Sequence, residues 1–292
     1  MIFDTALELR IKDDKKESLS KSEITSLLEN SELIKNLTKD INQNPLFLVW
    51  KLIALSEIPY SLQLPYTKKI IDLIIKNLGT SEGFSLTGKK ENLLPCYNAI
   101  LIKTFCKLGL QSNKIVKNAV NWILKYQAFH RNFNSDWKEV EILKHGGCLK
   151  STPCYIGLTK SVIALHEYNK FESNKDLQLK IEEGTEYILQ HHLFKRQSNG
   201  NPITKHILDL YFPENYNITI LELLWFISET DKIKDTRVND SIEYINEKRN
   251  KNKMWAVNYV YKSDGYVSFD GKVKEGQWLS YLINTIQTRY YA

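Results

Sequence analysis

The 292-residue chain is 42% hydrophobic and 25% charged, the balance of a globular protein, which excludes disordered and fibrous classes. Its net charge of +6 comes from 40 Lys+Arg against 34 Asp+Glu, but the basic residues are dispersed with no interleaved aromatic stripe, so no nucleic acid is expected as a partner. No apolar run approaches the roughly 20 residues of a membrane span and no secretion-signal pattern opens the chain, so a cytoplasmic protein without a span, its four cysteines reduced, is expected.

Residues 1–20 end in DDKKESLS and read as a flexible lead-in, leaving 21–292 as a single domain with no Pro/Gly/Ser-rich linker. A helix is predicted from Ser22, broken near Asn30 and Ser31, and a second opens at Pro45 and stops in SEIPYSLQLP. Helices are then predicted over 67–78, 94–108 and 113–127, with Gly79 and Gly109 as stops.

A loop of about 25 residues follows, longer than most structureless connections, and carries His130, Arg131, Asp136, Trp137, His145 and Cys148. It runs into TPCYIGLTKSVIALHEY, where Pro153 opens a helix and sets Cys154 beside unpaired backbone N–H groups that favour a thiolate. Further helices are predicted over 175–193, 218–230, 235–248 and 276–290, with at most one small β-hairpin, at 255–273, turning at Asp264-Gly265 or Asp270-Gly271. The class is therefore all-α. The segments KKIIDLIIKNL, VKNAVNWILKYQ, IEEGTEYILQHH and VNDSIEYINEKR form a loose repeat at intervals of roughly 45 to 65 residues, the period of stacked helical hairpins.

AVNWILKYQ, ending in Gln127 with Trp137 ten residues on, resembles the glutamine and tryptophan repeat of squalene cyclases, as does SIEYINEKRNKNKMW with Lys248 or Arg249 in place of the glutamine. With LPCYNAILIKTFCKLGL and GKVKEGQWLSYLINTIQ, these segments make residues 66–290 similar to the terpene cyclase and protein prenyltransferase superfamily, and more closely to squalene-cyclase-like repeat proteins of prokaryotes. The resemblance implies an α/α toroid of five or six helix pairs around an apolar cavity. The Asp-x-Asp-Asp acid of class II cyclases is missing, since the nearest acidic pair, Asp13-Asp14, lies in the lead-in. So are the Asp-x-Cys zinc pair of the prenyltransferases, where Thr152 stands two before Cys154, and the Cys-His-Gly signature of lanthionine cyclases.

Cys96, Cys148, Cys154 and His192 (or its neighbour His191) are the candidate zinc set, because thiolate and imidazole are preferred zinc ligands and Cys96 follows Pro95 as Cys154 follows Pro153. Buried structural cysteine is the competing reading, and it is the one adopted for Cys106. Lys150, Lys195 and Arg196 are candidate ligands for an anionic head, against simple helix C-terminal charges. Tyr155, Tyr211, Phe212, Tyr216 and Trp225 are candidate cavity-lining rings, whereas Asp136 and Glu139 read as solvated. Two functions stay open: an enzyme-like protein binding an isoprenoid or other lipid-like ligand, with zinc as candidate cofactor, and a non-catalytic scaffold for a protein or peptide partner.

Overall fold

The computed structural model describes residues 4–133, 135–137, 148–272 and 275–292. Among them are twelve α-helices: α1 Thr5–Asp14, α2 Lys21–Asn30, α3 Glu32–Thr38, α4 Pro45–Ser56, α5 Pro65–Leu78, α6 Pro95–Lys107, α7 Lys114–Tyr126, α8 Tyr155–Asn169, α9 Lys175–Gln190, α10 Ile220–Ser228, α11 Asn239–Glu247 and α12 Gln277–Tyr291. The protein is all-helical. The described part of the expected hairpin forms no strand, and its pairing is limited to the isolated bridges Ala256 to Glu275 and Val257 to Lys272. No helix among the described residues is long and apolar enough to cross a membrane.

Helix starts follow local chemistry. Proline occupies the first turn of α4, α5 and α6, where its missing N–H costs nothing. Ser20 and Glu23 close a reciprocal capping box on α2, and Ser31, expected as a break, ends that helix and caps α3. The expected flexible lead-in needs correction: it folds into α1, with Ala6, Leu7 and Leu9 fully buried. Asp4 explains this, since its carboxylate accepts from Ala6 N at 2.9 Å while also binding Ser31 Oγ at 2.6 Å and Leu33 N at 3.1 Å, joining the starts of α1 and α3.

Three helices, α4, α6 and α8, pack side by side as an inner row, with α6 against α8 the most extensive contact, and α5, α7 and α9 each cover one of them. The sequence divides the roles. The inner α4 and α8 bury most of their residues on all sides, α8 including Lys160 and Glu167, while α5, α7 and α9 bury one stripe. At α8/α9 the close approach depends on Gly184: a Cβ there would lie 2.1 Å from Val162 Cγ2 and 2.9 Å from Phe129 Cδ1. The far side is made by α10 against α12, and Tyr281 of α12 donates to Asp14 of α1 at 2.8 Å.

The polar segment between α9 and α10 enters the interior. It is held there by Asn258 N to Leu210 O at 3.2 Å, Phe269 N to Phe212 O at 3.0 Å and Tyr266 Oη to Pro213 O at 2.6 Å. These bonds fix Glu214 in the core.

Candidate functional site

The helix starts of α6 and α8 meet. A Cβ placed on Gly157 would lie 3.6 Å from Pro95 Cβ, 3.8 Å from Cys154 Cβ and 3.8 Å from Gln127 Oε1. Cys96 therefore stands at the start of one inner helix and Cys154 at the start of the next, and the short turn carrying Cys148 folds back to hydrogen-bond the Cys154 sulfur. None of the three is in a disulfide.

The Cys148 hydrogen bond is the main reason that Cys154 falls to about 6; burial opposes it, and the N–H groups of Gly157 and Ile156 add to it, although none closes a capping hydrogen bond. The same bond, then burial, pushes the Cys148 thiol far up. Burial, then the neighbouring Cys154, takes Cys96 to about 12. The two sulfurs thus share one proton, with the thiolate character favoured at Cys154.

A chain of rings, half-buried except for the fully buried Trp50, begins beside these sulfurs at Tyr97 and Tyr216. Tyr216 stacks on Tyr97 with centroids 5.5 Å apart, Trp50 touches Tyr97 at 6.2 Å and Tyr261 at 5.4 Å, and Tyr261 meets Tyr266 at 5.5 Å. The Tyr216 hydroxyl is pushed up by burial and then by the electrostatic influence of Cys96, Cys154 and Cys148. Gln127 Oε1, in a residue 2% exposed, has no hydrogen-bond partner among the described residues, although its Nε2 donates to Ala128 O at 2.7 Å.

Beneath the thiols lies a buried ion quartet. Lys160 of α8 donates to Glu222 of α10 at 2.9 and 2.6 Å and to Glu214 at 3.1 Å. Lys103 of α6 hydrogen-bonds Glu214 and stands 3.6 Å from Glu222. All four side chains are between 1% and 11% exposed. Burial, then repulsion from Glu214, raises Glu222 to about 8 against the pull of Lys160 and Lys103. Burial also pushes Glu214 up, but Lys103 and Lys160 outweigh it and hold its carboxylate well below the usual range. Glu222 therefore keeps the proton of the pair.

A cavity of about 40 Å³ adjoins the quartet, lined by Lys103, Glu214 and Glu222 and by Tyr211, Phe212 and Trp225, three of the predicted rings. It reaches Arg10, Lys107 and Glu57, whose carboxylate accepts from Lys107 at 2.6 and 2.8 Å. Tyr216 belongs to the rim beside the sulfurs, and Tyr155 lines an open cleft of about 580 Å³ with Arg131, Tyr187, His191 and Arg196.

The predicted zinc set is split. Cys96, Cys148 and Cys154 come together, but His192 Nδ1 faces Asp240 at 3.1 Å beside Lys195, which binds the same carboxylate oxygen at 2.5 Å. His191 instead donates from Nδ1 to Lys195 O at 2.8 Å. Among the described residues no three His, Cys, Asp or Glu side chains are grouped so as to hold a metal ion. The predicted anion ligands are likewise apart: Lys195 is taken by Asp240, Lys150 is exposed, and Arg196 lines the cleft. Cys106 is buried core, its thiol raised to about 12 by burial. Trp137 packs edge-on against Trp122 at 5.3 Å and Tyr126 at 4.9 Å, while Glu139 and His145 lie outside the described residues.

Lys103, Lys160, Glu214 and Glu222 are the functional candidates that sequence reasoning passed over. Their signal was present: a single lysine inside YIGLTKSVIAL and a single glutamate inside ILELLWF, each a charge in an otherwise apolar run. Comparison with family models and with curated proteins finds no match to this chain.

Proposed function

We propose that the chain is a thiol-dependent ligand-binding protein that receives an apolar, isoprenoid-like or other lipid-like molecule on the aromatic rim of Tyr97, Tyr216 and Tyr261. Cys154, as thiolate, is its nucleophile toward an electrophilic carbon. The observation that carries this is the Cys148 to Cys154 hydrogen bond at a helix start, since it stabilises sulfur anion where amide dipoles also favour it. The packing order α4, α6, α8, with α5, α7 and α9 outside, supports the toroid that the resemblance implies. The ligand of this reading lies at the rim, because the interior beside the quartet offers about 40 Å³.

That filled interior favours a second reading, a helical-repeat scaffold binding a protein or peptide. Alkylation of reduced protein by iodoacetamide, followed across pH 4 to 10 by intact mass and peptide mapping, separates the two. The first reading expects reaction at Cys154 with a midpoint near pH 6, loss in Cys154→Ser, and slowing by farnesol. A midpoint in the ordinary thiol range of about 8 to 9, with no protection, overturns it in favour of the scaffold.

A further inference from the structure

Cys148 is a second thiol placed against the reactive one, and the surface beside the pair has a definite charge. The cleft of about 580 Å³ is lined by Thr152 and Pro153, immediately before Cys154, and by Tyr155, immediately after it. Its cations are Arg131 and Arg196, and no Asp or Glu lines it. Neither guanidinium has a carboxylate partner among the described residues; Arg196 Nη2 reaches Ile203 O at 3.3 Å. His191, 6% exposed, lines the same cleft with an Nε2 that has no hydrogen-bond partner among the described residues. The turn carrying Cys148 is tied to the Arg131 side by Asn132 N donating to Ser151 O at 2.7 Å. The cleft thus sets two arginines without carboxylate partners beside the residues that flank Cys154, although neither Cys154 nor Cys148 is among its lining residues.

We infer that Cys148 and Cys154 form a redox-active dithiol that exchanges with a carboxylate-bearing low-molecular-weight disulfide held by Arg131 and Arg196. The inference rests on Cys154 being the reactive thiol of the preceding reading, and not on the identity of the apolar ligand. In the first step the Cys154 sulfur attacks one sulfur of the small disulfide; that S–S bond breaks, and one small thiolate leaves as a mixed disulfide forms on Cys154. Cys148 then gives its proton to the departing thiolate or to water, attacks the Cys154 sulfur, and expels the second small thiolate. Two protein thiols are oxidised to one bridge, and one small disulfide is reduced to two thiols. The bridge removes the Cys154 nucleophile from the rim, so this exchange also switches off the proposed ligand chemistry.

The pair is close enough for this because its two sulfurs already share a hydrogen bond. Cys96 is the competing resolving group. It is held within the first turn of α6, while Cys148 sits on the turn before α8.

The test uses the full reduced chain, oxidised glutathione as the anionic probe and hydroxyethyl disulfide as the neutral one, with products read by non-reducing peptide mapping. The expected product is a Cys148–Cys154 bridge. Cys148→Ser should stop at the glutathione adduct on Cys154, and Cys154→Ser should give neither adduct nor bridge. The double variant Arg131→Ala with Arg196→Ala should slow the glutathione reaction roughly tenfold and leave the hydroxyethyl disulfide rate within about twofold. A stable adduct on wild-type Cys154, or a bridge to Cys96, overturns the dithiol; equal slowing with both probes overturns the arginine cleft. Iodoacetamide reactivity of the same samples at neutral pH distinguishes the failures: if Cys154 alkylates rapidly while exchange fails, this inference falls alone, and if it does not, the preceding reading falls with it.

Discussion

Lys160 of α8 donates to both oxygens of Glu222 of α10, at 2.9 and 2.6 Å, across 62 residues of sequence and with side chains 1% and 5% exposed. Two groups that would each be costly to bury alone are buried together, in contact with a second lysine and a second glutamate.

Replacing one partner should therefore be far worse than replacing both. Lys160→Met leaves Glu222 and Glu214 with Lys103 as their nearest remaining cation and is expected to cost about 3–5 kcal/mol of unfolding free energy. Lys160→Met with Glu222→Leu leaves the Lys103 and Glu214 pair intact and should recover a large part of that loss. Urea unfolding of the two variants at about pH 9, above the Glu222 transition where all four groups are charged, checks the order; a double variant less stable than the single would show that the quartet is not a charge-balance device.

Stability should carry a signature of Glu222. Its folded-state value, about 8, lies above the unfolded carboxyl range, so the folded protein binds one more proton than the unfolded chain between about pH 4.5 and 8. This contribution is fully present below that window and is lost as pH rises through it. Glu222→Gln keeps the uncharged form at every pH, so its thermal midpoint should fall less than wild type between pH 5 and 8. Parallel curves in that range would assign the proton elsewhere.

The N-terminal helix makes its own prediction. Asp4→Ala removes the acceptor for Ala6 N, Ser31 Oγ and Leu33 N together, and should cost about 1–2 kcal/mol in chemical denaturation. A neutral result would mean that α1 adds little to the fold.

Two glycines with similar backbone should differ sharply. Gly265 (φ +82°) leaves no room for a side chain, since a Cβ would lie 2.7 Å from Phe47 Cα, whereas Gly200 (φ +72°) has nothing within 4 Å. Both alanine variants incur left-handed strain, and Gly265→Ala is expected to lose about 1–3 kcal/mol more because rigid backbone blocks it. Thermal unfolding of the pair measures the difference.

Much of the helical order was legible residue by residue. Pro45 and Pro95 mark helix starts, Asn113 caps α7, and the apolar run after Cys154 forms α8. Cys96 and Cys154, each preceded by a proline in the sequence, do come together, but not at equivalent positions: Pro95 is the first residue of α6, whereas Cys154 is the N-cap of α8 and Pro153 lies before the helix. His192 shows the limit. Its place two residues past α9 suggested an imidazole near the thiols, but the left-handed backbone at His192 and Leu193 turns the chain, and its ring goes to Asp240. The lead-in was misread for a similar reason: its charges dominate the string, yet Ala6, Leu7 and Leu9 fall on one buried face once Asp4 caps the helix.

What this sequence determined by itself is everything set by near neighbours: the all-helical class, the caps and proline starts, the inner and outer character of each helix, and two thiols placed at helix starts. These depend on backbone donors and apolar spacing within a few residues. The tertiary structure alone decided which charges would share the interior and which sulfur would hold a proton. Lys103, Lys160, Glu214 and Glu222 come from three helices and a loop, and Cys148 reaches Cys154 only because its turn is folded against the start of α8. Desolvation and charge act over a few ångströms of space, whatever the separation along the chain.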